Sequence, residues 1–254
     1  MDELRHFNVL VVGENPEEII LKYDSNLKVA PYVKYEYSRA GEYHKSYLKS
    51  LNVLLKKLKK EDADEEDIKL LEAEIKDIEH IMPEDYYFEL TAGLELDQEG
   101  NAYTTENPDG KFILHRLAGF FALPFILNDG REVYSAYKNE IDWSKIHLAN
   151  QRPYEVAWDT VVEEKTPNGE EEHAIYENMK NRLHYFSNFE SREHYIAAST
   201  AFWTYAYVDG NGWIEIDNKR PQFEWVINFY DRFVKPLPDN AKLTLYECVR
   251  PKEN

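Results

Sequence analysis

Leu243-Thr244-Leu245-Tyr246-Glu247-Cys248-Val249 reads as a buried strand. Just upstream, residues 222–234 form an amphipathic helical pattern stopped by Pro236 and Pro238. Before that, Asp209-Gly210-Asn211-Gly212 turns an aromatic strand over 201–208 into Trp213-Ile214-Glu215-Ile216. Asn128-Asp129-Gly130 marks a hairpin leading into Glu132-Val133-Tyr134-Ser135-Ala136-Tyr137. At the other end, the apolar run 7–12 stops at Gly13. Asn15-Pro16-Glu17-Glu18 then supplies an N-cap, a proline at N1 and a glutamate at N3, so a strand leads into a helix of about two turns ending near Tyr23. Strands grouped into hairpins with helices between them predict an α+β fold with a largely antiparallel sheet.

The middle of the chain changes period. Leu48, Leu51, Leu55 and Leu58 mark one helical stripe and Ile68, Leu71, Ile75 and Ile78 a second, with Glu61-Asp62-Ala63-Asp64 between them as turn and N-cap. The reading is one domain over residues 1–254 with a charged helical hairpin inserted at 40–80. After Met82-Pro83, residues 86–90 and 94–96 read as strands, Gln98-Glu99-Gly100-Asn101 as a turn and 102–105 as a further strand. Residues 163–173 read as a charged surface loop and 176–195 as helix.

Charge is concentrated rather than spread. Residues 61–110 hold 18 Asp and Glu against two Lys, which accounts for −16 of the chain's formal −18. Such a field repels nucleic acid and membrane surfaces and favours basic partners. The stretch divides in two. Residues 45–60 carry six Lys and no acid, so 45–80 sums to only −2 and can neutralise itself, with Lys56 and Lys59 facing Glu72, Glu74 and Glu79. Residues 81–110 carry eight acids and no basic residue, which makes Glu84, Asp85, Glu89, Glu95, Asp97 and Glu99 the candidate partner-binding set.

Apolar residues make up 43% and aromatics 14%, with 19 Tyr and 12 Phe, enough for a globular core. No window approaches a membrane span, and Met1-Asp2-Glu3 opens no basic, apolar signal segment. The single Cys248 excludes an internal disulfide framework and fits a reducing cytosol. The eight His show no metal-ligand spacing, there is no G-x-S-x-G elbow, and the Gly13 turn lacks a phosphate-loop pattern, so no metal or cofactor is expected. Asp142 beside Trp143 and Asp159 after Trp158 could be carboxyls with raised pKa values in aromatic surroundings. The segment most like a ligand site is 111–131. Lys111, His115, Arg116 and Arg131, with Trp143 nearby, could grip a nucleotide-like anion by charge-assisted hydrogen bonds.

Asn107-Pro108-Asp109-Gly110-Lys111-Phe112, continuing through Leu117-Ala118-Gly119-Phe120-Phe121, resembles the N-P-x-S-K-W-D-W-Y-x-x-G-G-R-W stretch of an uncharacterised family frequent in bacteriophages and bacteria. Ile141-Asp142-Trp143 and Pro238-Asp239-Asn240 with Leu245-Tyr246-Glu247-Cys248 resemble further segments of that family, so the likeness spans roughly residues 86–250. The chain departs from the pattern at Ile113, at 118–121 and at Val249, where the family has aspartate, G-G-R-W and histidine. The resemblance implies a phage-borne accessory protein, and the departures imply a binder rather than a catalyst. The leading expectation is therefore a non-catalytic cytosolic protein that presents its acidic band to a basic surface of a host protein, such as a nucleic-acid-binding defence enzyme. The alternatives are a pocket protein or enzyme for a nucleotide-like anion near Lys111 and Trp143, and a self-assembling structural protein.

Overall fold

A computed structural model describes residues 4–61, 63–117, 123–217 and 222–251. Asp62 of the expected turn and positions 118–121 of the family-like stretch lie outside them. In chain order, β1 (Leu4–Val12) leads through Gly13 to α1 (Pro16–Leu21), and β2 (Lys28–Tyr35) precedes α2 (Ala40–Lys60), α3 (Glu65–His80) and α4 (Pro83–Leu90). Next come β3 (Glu95–Leu96), β4 (Ala102–Glu106), β5 (Leu114–Leu117), β6 (Phe125–Ile126), β7 (Glu132–Val133) and β8 (Ser135–Tyr137). Then follow α5 (Arg152–Val161), α6 (Gly169–Met179), α7 (Leu183–Phe186), α8 (Arg192–Thr200), β9 (Ala206–Asp209), β10 (Gly212–Glu215), α9 (Gln222–Phe229) and β11 (Lys242–Pro251). The fold is α+β with mostly antiparallel sheets. The chain forms two compact units, residues 1–27 with 108–254, and residues 28–107.

The larger unit is built on a sheet of order β10-β9-β1-β11-β5, with β8 also pairing β11. Its backbone is the long antiparallel pair β1/β11, in register from Leu4↔Pro251 to Val12↔Leu243; β9 joins β1 in parallel. Strand residues alternate between faces. Val9, Val11, Tyr246, Cys248 and Val208 therefore meet Ile20 of α1 and Phe112 on one face, while Leu10, Leu243, Leu245 and Tyr207 meet Phe229, Phe233 and Val234 on the other. Burial on both faces is why the runs in β1 and β11 read as continuously apolar. A separate cluster of Ala157, Trp158, Val161, Phe186, Tyr195 and Ile196 ties α5, α7 and α8 together.

In the smaller unit α2 and α3 lie against each other over Leu51, Leu71 and Ile75. Lys59 Nζ sits 2.6 Å from Glu72 Oε1, and Asp64 accepts the Glu66 amide proton at 2.9 Å as an N-cap. The three-stranded sheet β2-β4-β3 completes the unit. Pro31 falls where the β2/β4 register shifts, as expected of a residue with no amide proton to give a ladder. The fully buried Tyr87 hydroxyl reaches the carbonyls of Tyr35 at 3.0 Å and Gly100 at 2.8 Å, closing tyrosine-rich packing with Tyr37 and Tyr43.

Several elements differ from expectation. Residues 86–90 are helical, not a strand: Pro83 at N1 with Glu84 and Asp85 in the first turn favours a helix start, and adjacent Tyr86 and Tyr87 are both buried, which an alternating strand does not allow. The charged segment 163–173 is loop only to Asn168; Glu170, Glu171 and Glu172 form the first turn of α6, where the helix dipole favours acids. The single helix expected over 176–195 is three pieces, the last restarted by Ser191, whose hydroxyl accepts the His194 amide proton. Residues 201–205 are not strand, and β9 begins only at Ala206. Their backbone is bonded elsewhere: Phe202 N donates to His147 Nδ1 at 3.2 Å, Tyr205 N to Asn8 Oδ1 at 3.0 Å, and the Thr204 carbonyl accepts from Trp225 Nε1 at 2.7 Å. The helix over 222–234 ends in a π-helical turn from Tyr230 to Val234.

Candidate functional site

The pleat separates the basic residues of the expected anion site. His115 and Arg116 are neighbours on β5 and so point to opposite faces. His115 Nε2 lies 2.9 Å from Glu17 Oε1, and Tyr246 donates its hydroxyl to Glu17 Oε2 at 2.9 Å. The His115 bond is the main reason the Glu17 carboxyl is held below its ordinary pKa, against a smaller opposing effect of burial. Arg116 gives Nε and Nη2 to Glu247 Oε2 at 2.7 and 2.5 Å, while His6 Nδ1 lies 2.7 Å from Glu247 Oε1. Arg131 is bound to Asp129 two residues away in the β6–β7 turn, at 2.8 Å. Lys111 donates its backbone N–H to Tyr23 O at 2.7 Å. Trp143 packs edge-on with Phe125, Phe202 and Tyr230, and its Nε1 donates to the Lys138 carbonyl at 3.2 Å. His115, Arg116 and Arg131 are thus each engaged by a carboxylate of the fold.

The two candidate acids titrate opposite to expectation. Hydrogen bonds from Ser144 and Lys145 hold Asp142 below its ordinary pKa. Burial pushes Asp159 up, but bonds from Arg192 and Lys165 outweigh it and the net shift is downward. Both are ion-paired carboxylates, not proton donors near neutrality. The Cys248 thiol is fully buried and pushed well above its ordinary value by that burial, with Glu247 adding to it, so it is a poor nucleophile. Among the described residues no group of three or more His, Cys, Asp and Glu could hold a metal ion, and no helix is long and apolar enough to cross a membrane.

The acidic set falls on the smaller unit. Glu84, Asp85, Phe88 and Glu89 share the face of α4 turned away from buried Tyr86 and Tyr87, since residues three and four apart are helix neighbours. Phe88 is 50% exposed among these acids, and Met82 (62%) and Leu96 (45%) are exposed on either side in sequence. Glu95 and Glu99 are exposed as well. The turn that carries Glu99 is tied to α4 by the Tyr87 bond to Gly100 and through Tyr37, whose amide donates to Asn101 Oδ1 and whose ring meets Phe88. Asp97 is different. It accepts the amide protons of Glu99 at 2.9 Å and Asn101 at 2.8 Å, and the Asn101 side-chain bond chiefly lowers its pKa, so it shapes the turn. Outside that set, Glu106 also has a partner unseen in the local sequence, Lys34 of β2 at 2.5 Å.

The larger unit contains a cavity of about 470 Å³ that the sequence reading did not anticipate. Asn8 and Leu245 floor it from the sheet, and Lys145, Ile146, Ala149 and Asn150 with residues 199–204 wall it. Leu148 and Asn150 adopt left-handed φ of 55° and 49°, a conformation costing a residue such as leucine about 1–2 kcal/mol and tolerated by asparagine. Leu148 N donates to Thr200 O at 2.8 Å, joining the two walls. His147 reinforces that joint: Nδ1 accepts the Phe202 amide proton, which leaves the ring proton of the neutral form on Nε2. Its ring stacks on Tyr230 at 4.0 Å, and burial lowers its pKa below 6.5, with Asp231 opposing and Lys235 assisting. Only long-range folding assembles this site; the residue types within any one segment carry no signal of it.

Comparison with protein-family models, with curated proteins and with solved structures finds no match to the chain.

Proposed function

We propose that the protein acts by binding, and that the face of α4 and the turn before β4 docks on a basic surface of a partner protein. The observation that carries this reading is the placement of Phe88, half exposed, among Glu84, Asp85 and Glu89 on one helix face, with Met82 and Leu96 exposed nearby in the chain. Exposed acids alone would be a solvated surface. An exposed aromatic ringed by one sign of charge has the anatomy of an interface, where aromatic anchors supply affinity and the charged rim supplies steering. The phage-borne accessory role implied by the family resemblance would place the partner among proteins of the host cytosol, such as a defence enzyme with a basic nucleic-acid-binding surface.

The test uses the whole chain and a panel of Lys/Arg-rich amphipathic peptides, with binding read by fluorescence anisotropy at several salt concentrations. Phe88→Ala and the combined Glu84→Gln, Asp85→Gln, Glu89→Gln variant should each weaken binding about tenfold or more, which is about 1.4 kcal/mol. Wild-type association should slow steeply with salt. Equal binding by wild type and both variants would remove the face from consideration.

A further inference from the structure

The cavity of the larger unit is a separate site, and its lining defines a ligand. Its volume, about 470 Å³, lies within the roughly 300–1,000 Å³ of small-molecule pockets. Asn8 is a polar residue on a strand whose neighbours Phe7, Val9 and Leu10 are buried in the core. Its Oδ1 is used on the Tyr205 amide, so the two protons of Nδ2 are left for whatever occupies the space. Tyr154, Phe202 and Trp203 offer rings along the wall, and Ser199 and Asn150 offer small polar groups. Phe202 is held from both ends, by His147 on its backbone and by Phe125 and Trp143 on its ring.

The charge of the lining argues against an anion. Among the described residues Lys145 is its one cation and is already 3.2 Å from Asp142, while Glu132 stands at the same cavity and would repel phosphate. We propose that this cavity binds an uncharged compound of nucleoside size. Its heteroaromatic ring lies against Phe202 and Trp203, a carbonyl or ring nitrogen accepts from Asn8 Nδ2, and hydroxyl groups meet Ser199 and Asn150.

Isothermal titration of the whole chain with the four common ribonucleosides and their 5′-monophosphates tests this. At least one nucleoside should bind saturably with Kd at or below about 1 mM, and its monophosphate at least about tenfold more weakly. Trp203→Ala removes an exposed side chain and leaves the Asn8–Tyr205 bond in place, so the fold should survive; binding should fall about tenfold with the thermal midpoint unchanged. Asn8→Asp keeps the acceptor for Tyr205, removes the Nδ2 donors and should also abolish binding. No saturable binding by any nucleoside, a monophosphate that binds as well as its nucleoside, or full affinity in Trp203→Ala would each overturn the proposal.

Discussion

Replacing Arg116 with Met removes a partner from Glu247, the one buried carboxylate among the described residues. The Glu247 side chain is 0% exposed and opposite Arg116 in the β11/β5 register, with the guanidinium on Oε2 and His6 on Oε1. Removing one partner of a buried pair costs about 3–5 kcal/mol, because the buried charge loses part of its compensation in a medium that cannot replace it. Arg116 itself is 60% exposed, so the attraction lost is partly screened by water and the cost should fall at the lower end, about 3 kcal/mol. At about 2–4 °C of midpoint per kcal/mol for a unit of this size, Arg116→Met should melt about 6–12 °C lower. Replacing both residues, Arg116→Met with Glu247→Leu, removes the buried charge as well and should return to within about 1 kcal/mol of wild type. Urea denaturation followed by tryptophan fluorescence reads all four corners of the cycle. A loss below about 1 kcal/mol for Arg116→Met, or a double variant no more stable than the single, would mean that the pair is an ordinary surface ion pair and the reasoning is wrong.

Other outcomes follow from the same structure. His147→Gln keeps an acceptor for the Phe202 amide but cannot titrate; because burial depresses the His147 pKa, the unfolded chain takes up the proton first, so wild type should lose stability relative to this variant as the pH falls below 6.5 and show no such change above it. A constant difference across that range in denaturation midpoints would contradict this. Gly100→Ala forces a side chain onto a φ of +85° and a Cβ 3.2 Å from the Tyr37 ring, so it should destabilise the smaller unit by about 1–2 kcal/mol, read by proteolysis of that unit. The Cys248 thiol, fully buried in β11, should react with a thiol reagent only at the rate of unfolding; rapid labelling of the native protein would refute its burial. Leu71→Ala empties the seam between α2 and α3 and should cost about 2–5 kcal/mol in the same proteolysis assay, whereas Leu70→Ala, 65% exposed, should cost little.

The sequence by itself determined the elements whose patterns are strong and local: the apolar runs of β1 and β11, the Pro16 and Asp64 helix starts, the leucine and isoleucine stripes of α2 and α3, and the α+β class that these imply. It misread residues 86–90 because tyrosine suits both a strand and a helix, and only the pairing of Tyr86 and Tyr87 on the buried side of α4 settles which. It misread 201–205 because aromatic, β-branched residues have the composition of a strand, yet their hydrogen bonds go to His147, Asn8 and Trp225, three partners remote in sequence. The site residues followed the same rule. Exposure of Glu84, Asp85 and Glu89 follows from α4, a local element, and Asp97 is held within its own turn, whereas the fate of His115 and Arg116 depended on which carboxylate the fold brought beside each. Tertiary structure alone decided that His115 and Arg116 are already engaged by Glu17 and Glu247 and that a cavity opens beside Asn8, because these pairings and the cavity's shape depend on distances in space that no spacing along the chain encodes.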